Sequence, residues 1–278
     1  MFNAMTRAEI WLQDTLDKPL GIEDLANHIG YSASQVRRQF RHCFSISPGA
    51  YREKRRLERA AVLLSLTSQN IAHIASRCGY LNHSSFSRAF QRRYQLTPRS
   101  YRQALAGMHH LPFPRRSFNI TIEKSHPRQT ILMRLYKAPE HISGLGSTTY
   151  HANHLKCLQA QLGASTPTVA LPDLLTEKAE ALEVEAAAPH QTRTDIGLYL
   201  KTKDSASHLA LPVAYRRVDI PIHYYAKTCF EDFSELSEAM SATLIQVIRH
   251  QNRFHISGEA PKVLWHPDHL ELQIPLLA

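Results

Sequence analysis

Apolar residues in the first hundred positions recur every three to four residues, a spacing that predicts amphipathic helices. The pattern occurs twice, because the segment IEDLANHIGY at 22–31 matches IAHIASRCGY at 71–80 after a shift of 49 residues. The match continues at a shift of 50 residues, where Phe40 pairs with Phe90. Two copies of one supersecondary unit account for this repeat.

Each copy predicts a helix, a glycine turn and a second helix. Gly30 and Gly79 can take the positive φ that often ends a helix, and Ser32 can cap the helix that follows. The second helices begin near Ala33 and His83 and present polar and cationic residues, a form that suits a DNA major groove about 12 Å wide. The outward residues are Ser34, Gln35, Arg37, Arg38 and Arg41 in the first copy and His83, Ser84, Ser87, Arg88, Arg92 and Arg93 in the second.

A long helix is predicted over 48–66, between the two copies, because a proline stands at its start and apolar residues recur along it. It would act as a strut that separates the two second helices. Its basic residues, Arg55 among them, are candidate phosphate contacts. With shorter helices over 5–16 and 98–105, residues 1–107 form an all-α domain with a double helix-turn-helix.

The sequence pattern changes after a linker at 108–117, which follows Gly107 and contains two prolines. Residues 118–278 alternate apolar and polar positions, which predicts strands, and include two helical stretches at 147–162 and 233–250. The strands are expected at 118–123, 130–136, 196–200, 214–219, 222–226, 262–265 and 270–276. This order predicts an α+β domain of two similar strand-helix-strand halves. The acidic stretch 173–188 fits either a helix or a loop.

The positive charge is confined to the first domain. Residues 1–110 contain 16 Lys and Arg against 7 Asp and Glu, whereas residues 111–278 contain 17 of each. Such asymmetry is expected of a domain that neutralises DNA phosphates, joined to one that does not. A basic domain that is merely soluble remains the alternative.

Other features of the sequence limit the class of protein. The four cysteines are scattered without a paired motif, so neither a disulfide framework nor a zinc finger is indicated. Charged residues interrupt the N-terminus, and no apolar run of about 18 residues occurs. We therefore expect a cytoplasmic protein that has no membrane partner.

Residues 10–105 resemble the DNA-binding domain of AraC/XylS-type transcription regulators. The residues that carry the resemblance are Leu25–Ala26, Gly30–Ser32, Phe40, Phe44, Pro48, Tyr51–Arg52, Ile71–Ala75, Gly79–Tyr80, Phe86–Phe90, Tyr94 and Thr97–Arg102. Most members carry this module at the C-terminus, whereas this chain carries it first. The resemblance implies binding to double-stranded DNA as a monomer, activation of transcription, and RNA polymerase as a protein partner.

By the same resemblance, the outward residues of both second helices face DNA, and Arg38 and Arg88 occupy matching positions for base contacts. A phosphate contact or a solvated position is the alternative for each arginine. Ser34 stands where close relatives have a large aromatic residue, so their target sequence cannot be transferred to this chain.

The second domain resembles GyrI-like small-molecule-binding domains in the segments 195–200, 220–226, 262–265 and 270–276. In that family a carboxylate and aromatic side chains line a central groove. The implied ligand-binding residues are Glu271, Trp265, Tyr199, Tyr224 and Tyr225, and the implied ligand is a small lipophilic or cationic effector. Strand alternation separates Glu271 from the apolar face of its strand, so a solvated sheet face is its alternative location.

No enzymatic, cofactor or metal site is expected from the sequence. His151, His154 and Cys157 lie on a predicted helix, but their spacing turns the cysteine away from the first histidine. His266 and His269 are weak signals. Two rival functions remain for the second domain: a protein-interaction platform, or a hydrolase, although no G-x-S-x-G motif occurs.

Overall fold

The computed structural model describes residues 2–106, 114–136, 157–160, 165–173, 175, 193–200, 211, 214–249 and 253–277. The chain divides into two compact units, Met1–Met108 and His109–Ala278. Among the helices of these described ranges, none combines the length and the apolarity needed to span a bilayer.

Seven helices lie within the described residues of the first unit. They are α1 Phe2–Asp14, α2 Ile22–Ile29, α3 Ala33–Phe44, α4 Pro48–Leu66, α5 Ile71–Arg77, α6 His83–Tyr94 and α7 Pro98–Ala106. The strut α4 has the predicted bounds, because Pro48 stands at its first turn and the Ser47 hydroxyl accepts a hydrogen bond from the Ala50 N–H (3.3 Å). The predicted all-α helix-turn-helix region is thus present.

The core of the first helix-turn-helix is apolar and fully enclosed. Leu25 of α2 and Phe40 of α3 are completely buried, as is Met5 of α1. Phe86 and Phe90 of α6 are equally buried in the second copy. Burying an aromatic or aliphatic side chain of this size contributes about 1.5–3 kcal/mol, so these residues hold the two second helices against their supports.

The second unit contains one large antiparallel sheet. Its described strands are β1 Ile120–Lys124, β2 Arg128–Leu135, β3 Ser165–Ala170, β4 Thr194–Leu200, β5 Tyr215–Ile220, β6 Tyr224–Phe230, β7 His255–Ile256, β8 Lys262–Trp265 and β9 Leu270–Leu277. Their order across the sheet is β1-β6-β9-β8-β3-β4-β2-β5, and β7 pairs with β9. The helix α8, Leu236–Arg249, packs on β6 and β9.

Two strands were missed at the sequence level. β3 lies in the centre of the sheet, yet its sequence STPTVA lacks the apolar alternation of a half-buried strand. Pro167 is tolerated there because β8 pairs only with Thr168–Ala170. β7 has two residues, too few to show a period. β6 also extends to Phe230 rather than 226.

Some sequence-level predictions fall on residues that the structure does not describe. Residues 108–113 of the predicted linker lie outside the described ranges, as does most of the acidic stretch 173–188. Of the predicted helix 147–162, only 157–160 are described, and these are helical. His151 and His154 therefore cannot be compared with their expected positions.

Candidate functional site

The helix α3 is held at its start by a reciprocal capping box. The Ser32 hydroxyl accepts a hydrogen bond from the Gln35 N–H (3.3 Å), and the Ser32 N–H donates to Gln35 Oε1 (3.1 Å). Val36 and Phe40 face the core and are fully buried. Gln35, expected on the DNA-facing surface, is exposed, but its side chain is engaged in the cap.

Four predicted DNA-contacting side chains of α3 share one exposed surface. They are Ser34, Arg37, Arg38 and Arg41. Within the described part of the chain, the three arginines make no ion pair or side-chain hydrogen bond that would hold them away from a ligand. A surface of this kind can pair with phosphates or with base edges, because each guanidinium keeps all its donors for a partner.

The helix α6 repeats this arrangement with different residues. The Asn82 carboxamide oxygen caps it by accepting from the N–H groups of Ser84 (2.8 Å) and Ser85 (3.2 Å). Outward from the buried Phe86 and Phe90 lies a more polar surface. Its exposed members are His83, Ser84, Arg88 and Arg92, and Ser87 is half-buried beside them.

Two basic residues of α6 already have neighbours within the chain. Arg92 lies 3.9 Å from Glu53 while its side chain stays 78% exposed, so this ion pair is weak and leaves the residue available. The guanidinium of Arg93 lies over the ring of Tyr94 at 5.4 Å. Arg93 therefore packs against its own helix.

A residue that the sequence analysis did not single out, Arg56, connects the two copies. From α4 it donates to the carbonyl oxygens of Leu16 (Nε, 2.6 Å) and Lys18 (Nη2, 3.2 Å), and its guanidinium lies 5.9 Å from the ring centre of Tyr80. Arg56 thus ties the end of α1 to the glycine turn of the second copy. Arg55, a candidate phosphate contact, instead pairs with Glu58 and is largely buried.

A family model described as a helix-turn-helix domain matches residues 25–104. The regulatory protein SoxS of Escherichia coli is 39% identical over 95 residues, a match that covers 34% of this chain and 89% of SoxS. The chain belongs to the AraC/XylS family of transcription regulators.

Other members of the AraC/XylS family match the same region. The transcriptional regulator Rob of Salmonella typhimurium is 37% identical over 95 residues, which cover 34% of this chain and 33% of Rob. YkgA of Escherichia coli, which bears the name of an HTH-type transcriptional regulator, is 37% identical over 106 residues, 36% of this chain and 44% of YkgA. The match thus spans less than half the length of either protein. The expected AraC-type helix-turn-helix module is confirmed.

In this AraC/XylS-family chain, the second unit brings three of the five predicted ligand-binding residues to one side of its sheet. Tyr225 of β6 lies beside Pro275 of β9 and so shares a side with Glu271. The register through β8 and β3 places Tyr199 of β4 on that side as well. This side is called the Glu271 face below.

The other two predicted ligand-binding residues lie on the opposite side of the sheet. Trp265 pairs with Leu270 and stacks on Phe233 with ring centres 5.7 Å apart. Tyr224 pairs with Leu276 and contacts the ring of Phe254 at 4.9 Å. The five residues therefore do not converge on one groove.

Glu271 is only 7% exposed, so it does not lie on a solvated surface. Its Oε1 accepts a hydrogen bond from the side-chain amide of Gln273 (2.6 Å). Its Oε2 lies 3.3 Å from Lys227 Nζ and 3.6 Å from His266 Nε2. The carboxylate is thus enclosed and already has basic neighbours.

Basic side chains of the protein itself already lie beside the carboxylate and the aromatic ring at which a cationic ligand was expected. Lys227 also lies 3.4 Å from Glu123, which accepts a hydrogen bond from the Tyr225 hydroxyl (3.0 Å). Burial alone would lower the pKa of Lys227, but the two carboxylates outweigh it and raise that pKa. Arg128 lies over the ring of Tyr199 at 5.3 Å. A cationic ligand would have to displace or supplement these groups.

A buried ion triad, not predicted from the sequence, lies at the other end of the Glu271 face. Arg134 donates two hydrogen bonds to Asp195 (2.8 and 2.9 Å), and Arg216 donates a third (2.7 Å). Burial by itself would raise the pKa of Asp195, but the two guanidiniums outweigh it and hold the pKa below its usual value. The three residues lie on three separate strands, so no local sequence pattern connects them.

Proposed function

We propose that this chain is a cytoplasmic transcription regulator that binds duplex DNA as a monomer, with α3 and α6 entering successive major-groove segments about 34 Å apart. The single observation that carries the proposal is the pair of capped, cationic helices whose outward residues have few partners within the chain. The excess of basic residues in 1–110 supports it. By resemblance to the family, we also propose that the chain activates transcription through RNA polymerase.

The two helices would have unequal roles in recognition. Arg37, Arg38 and Arg41 make α3 the more cationic helix, whereas His83, Ser84, Ser87 and Arg88 give α6 more polar groups for hydrogen bonds with bases. Arg38 and Arg88 are the proposed base-reading residues. Gln35 would act mainly through the cap of α3, and Arg92 through phosphate.

The second unit would act as a GyrI-like effector-binding domain made of two similar halves. The strand order supports the two halves, because β2-β4-β3 on one side of the sheet centre is mirrored by β6-β9-β8 on the other. Glu271, Tyr199 and Tyr225 would contact a lipophilic or cationic effector. Trp265 and Tyr224 would support the sheet from the opposite side.

DNA binding can be tested with the full chain and a duplex selected from a random pool. Six to ten phosphate contacts would lower the affinity by about 10³- to 10⁵-fold between 50 and 200 mM salt. A random duplex of equal length should bind more weakly at every salt concentration. An affinity that did not change with salt, or equal affinity for both duplexes, would refute the proposal.

Effector binding can be tested by calorimetric titration with lipophilic cations, followed by a turnover assay on any compound that binds. Glu271→Gln keeps size but removes charge, so a cation bound at this residue should lose more than about 1 kcal/mol of affinity. Glu259→Gln, on an exposed residue of the same unit, is the control and should change nothing. Absence of any binder would favour the protein-interaction platform, and turnover would favour the hydrolase.

A further inference from the structure

Three potential metal ligands meet at one end of the Glu271 face. One ligand atom each from Cys229, His269 and Glu271 lies within 4.8 Å of the other two. Cys229 and Glu271 are directly opposite each other on β6 and β9. His269 belongs to the turn between β8 and β9, which is closed by a hydrogen bond from the His266 N–H to the His269 carbonyl (2.9 Å).

A second histidine borders this cluster. The rings of His266 and His269 stack with centres 4.6 Å apart and an interplanar angle of 15°. Nε2 of His266 is buried without a hydrogen-bond partner and lies 3.6 Å from Glu271 Oε2. Thiolate, imidazole and carboxylate are the ligand types that Zn²⁺ takes in proteins, usually four at a time.

Neighbouring side chains orient two of the ligands. Nδ1 of His269 lies 2.9 Å from the Asp268 carboxylate, which leaves Nε2 of the ring for another partner. The Gln273 amide holds Oε1 of Glu271 and leaves Oε2 on the side of His266. Such outer partners fix the orientation of metal-binding histidines and carboxylates.

We propose that Cys229, His269 and Glu271 form a binding site for a divalent transition-metal ion of the Zn²⁺ type, and that the His266 ring turns out of its stack on His269 to supply the fourth ligand. A tetrahedral set with bonds of 2.0–2.3 Å places its ligand atoms about 3.3 to 3.8 Å apart. The ligand atoms of Cys229, His269 and Glu271, which lie within 4.8 Å of one another, must therefore approach by up to about 1.5 Å around the ion. The short turn between β8 and β9, which carries both histidines, is where this movement would occur.

The charges at the site are compatible with such an ion. The Cys229 thiol releases its proton to solvent on binding, so thiolate and Glu271 together neutralise the two positive charges. Lys227, which loses Glu271 as a partner, keeps Glu123 at 3.4 Å. The site uses the same carboxylate as the proposed organic effector, so the two ligands would exclude each other. The metal proposal does not depend on DNA binding.

The site can be tested on the full chain without an affinity tag, freed of metal and kept reduced with a phosphine. Titration with Co²⁺ should give one ion per chain and an ultraviolet thiolate-to-cobalt charge-transfer band, which Zn²⁺ then abolishes by displacement. Cys229→Ser should remove the band. Cys157→Ser, which alters the other exposed cysteine of this unit, is the matched control and should keep it.

Two further variants test the histidine side of the site. His269→Gln should weaken Zn²⁺ binding, measured by competition with a chelating dye. Asp268→Asn should weaken it by about 10- to 100-fold, the range for a residue that orients a metal-bound histidine. Thermal unfolding without metal should be unchanged in Asp268→Asn, because the residue is exposed. Absence of the band in the native chain, its persistence in Cys229→Ser, or unchanged zinc affinity in His269→Gln would overturn the proposal.

Discussion

The two helix-turn-helix copies share a backbone frame but differ in the surfaces that they expose. Gly30, after α2, and Gly79, after α5, have nearly the same positive φ, 76° and 79°. Ser45 and Gln95 end α3 and α6 with φ of 59° and 56°, although neither is a glycine. The backbone of the second copy thus repeats the first even where the residue type changes.

Two arginines, the buried Arg52 and the half-buried Arg102, extend this equivalence to side chains. Arg52 donates to the Leu20 carbonyl, and Arg102 donates to the carbonyls of Gln69 (2.7 Å) and Leu64 (3.4 Å). Leu20 and Gln69 are 49 residues apart, the shift of the repeat itself. Each guanidinium holds the segment that leads into the support helix of its own copy.

The exposed surfaces, by contrast, do not match. α3 presents Arg37, Arg38 and Arg41, whereas the equivalent surface of α6 is richer in histidine and serine. Residues that set the frame are therefore repeated, whereas the residues that would meet DNA are repeated only in part: Ser34 and Arg38 match Ser84 and Arg88, but Arg37 and Arg41 are replaced by Ser87 and Gln91. A monomer built this way can recognise two unrelated base sequences, so its site need not be symmetric.

The largest predicted effect is a difference in stability between alanine substitutions at the two glycine turns. A Cβ at Gly79 would lie 2.4 Å from the Leu16 carbonyl oxygen and 2.7 Å from Arg56 Nη2, whereas one at Gly30 would meet nothing within 4 Å. Gly79→Ala should lower the free energy of unfolding by about 2–5 kcal/mol, from backbone strain and overpacking combined, and Gly30→Ala by about 1–2 kcal/mol from strain alone.

This difference can be measured by urea unfolding in a Trp265→Phe background. The chain has two tryptophans, so fluorescence then reports Trp11 and hence the first unit alone. Equal losses for the two alanine variants would show that the second glycine turn is not packed against Leu16 and Arg56 as described.

A smaller effect on stability tests the equivalence of Arg52 and Arg102. Removing either guanidinium breaks partly buried hydrogen bonds to backbone carbonyls, each worth about 1.5–3 kcal/mol when a charged group is involved. Arg52→Ala and Arg102→Ala should therefore destabilise the first unit by similar amounts. Arg99→Ala, on an exposed residue of α7, should change stability by less than about 0.5 kcal/mol. A loss of stability for only one of these two variants would break the equivalence.

The frame could be predicted from the sequence because its signals are local. Gly30, Ser32 and Pro48 mark helix ends through their own backbone or side-chain chemistry. The sequence repeat then predicts the equivalent helix ends in the second copy. The clamp of Arg56 could not be predicted, because it joins segments 40 residues apart whose contact depends on packing.

The second unit was harder to predict because its site depends on strand register. The alternation of residues along β9 correctly predicted that Glu271 lies on the opposite side of the strand from its apolar neighbours, because side-chain alternation is a property of a single strand. Whether Trp265 shares that side depends on its pairing with Leu270, and the proximity of Cys229 to Glu271 depends on the pairing of β6 with β9. Register of this kind is fixed by long-range packing rather than by short motifs.

The smallest predicted effect concerns the helix caps. Ser32→Ala and Asn82→Ala each remove an acceptor for N–H groups at the start of α3 or α6, and each should cost about 1 kcal/mol of stability. Ser85→Ala is the control, because its N–H still bonds to Asn82. Unfolding followed by Trp11 fluorescence should show no change in the control. A loss as large as that of Asn82→Ala would mean that the cap is not what stabilises α6.

The central claim, that two unequal helices read duplex DNA, is tested most directly by repeating the selection from random DNA with Arg38→Ala and Arg88→Ala. Each variant should lose discrimination at its own base pairs, about 1–3 kcal/mol per position, in separate halves of the selected site. Arg7→Ala, on an exposed residue of α1, should leave the selected sequence unchanged. Equal losses on selected and random duplexes for both reading-helix variants, or loss at the same base pairs, would contradict the account.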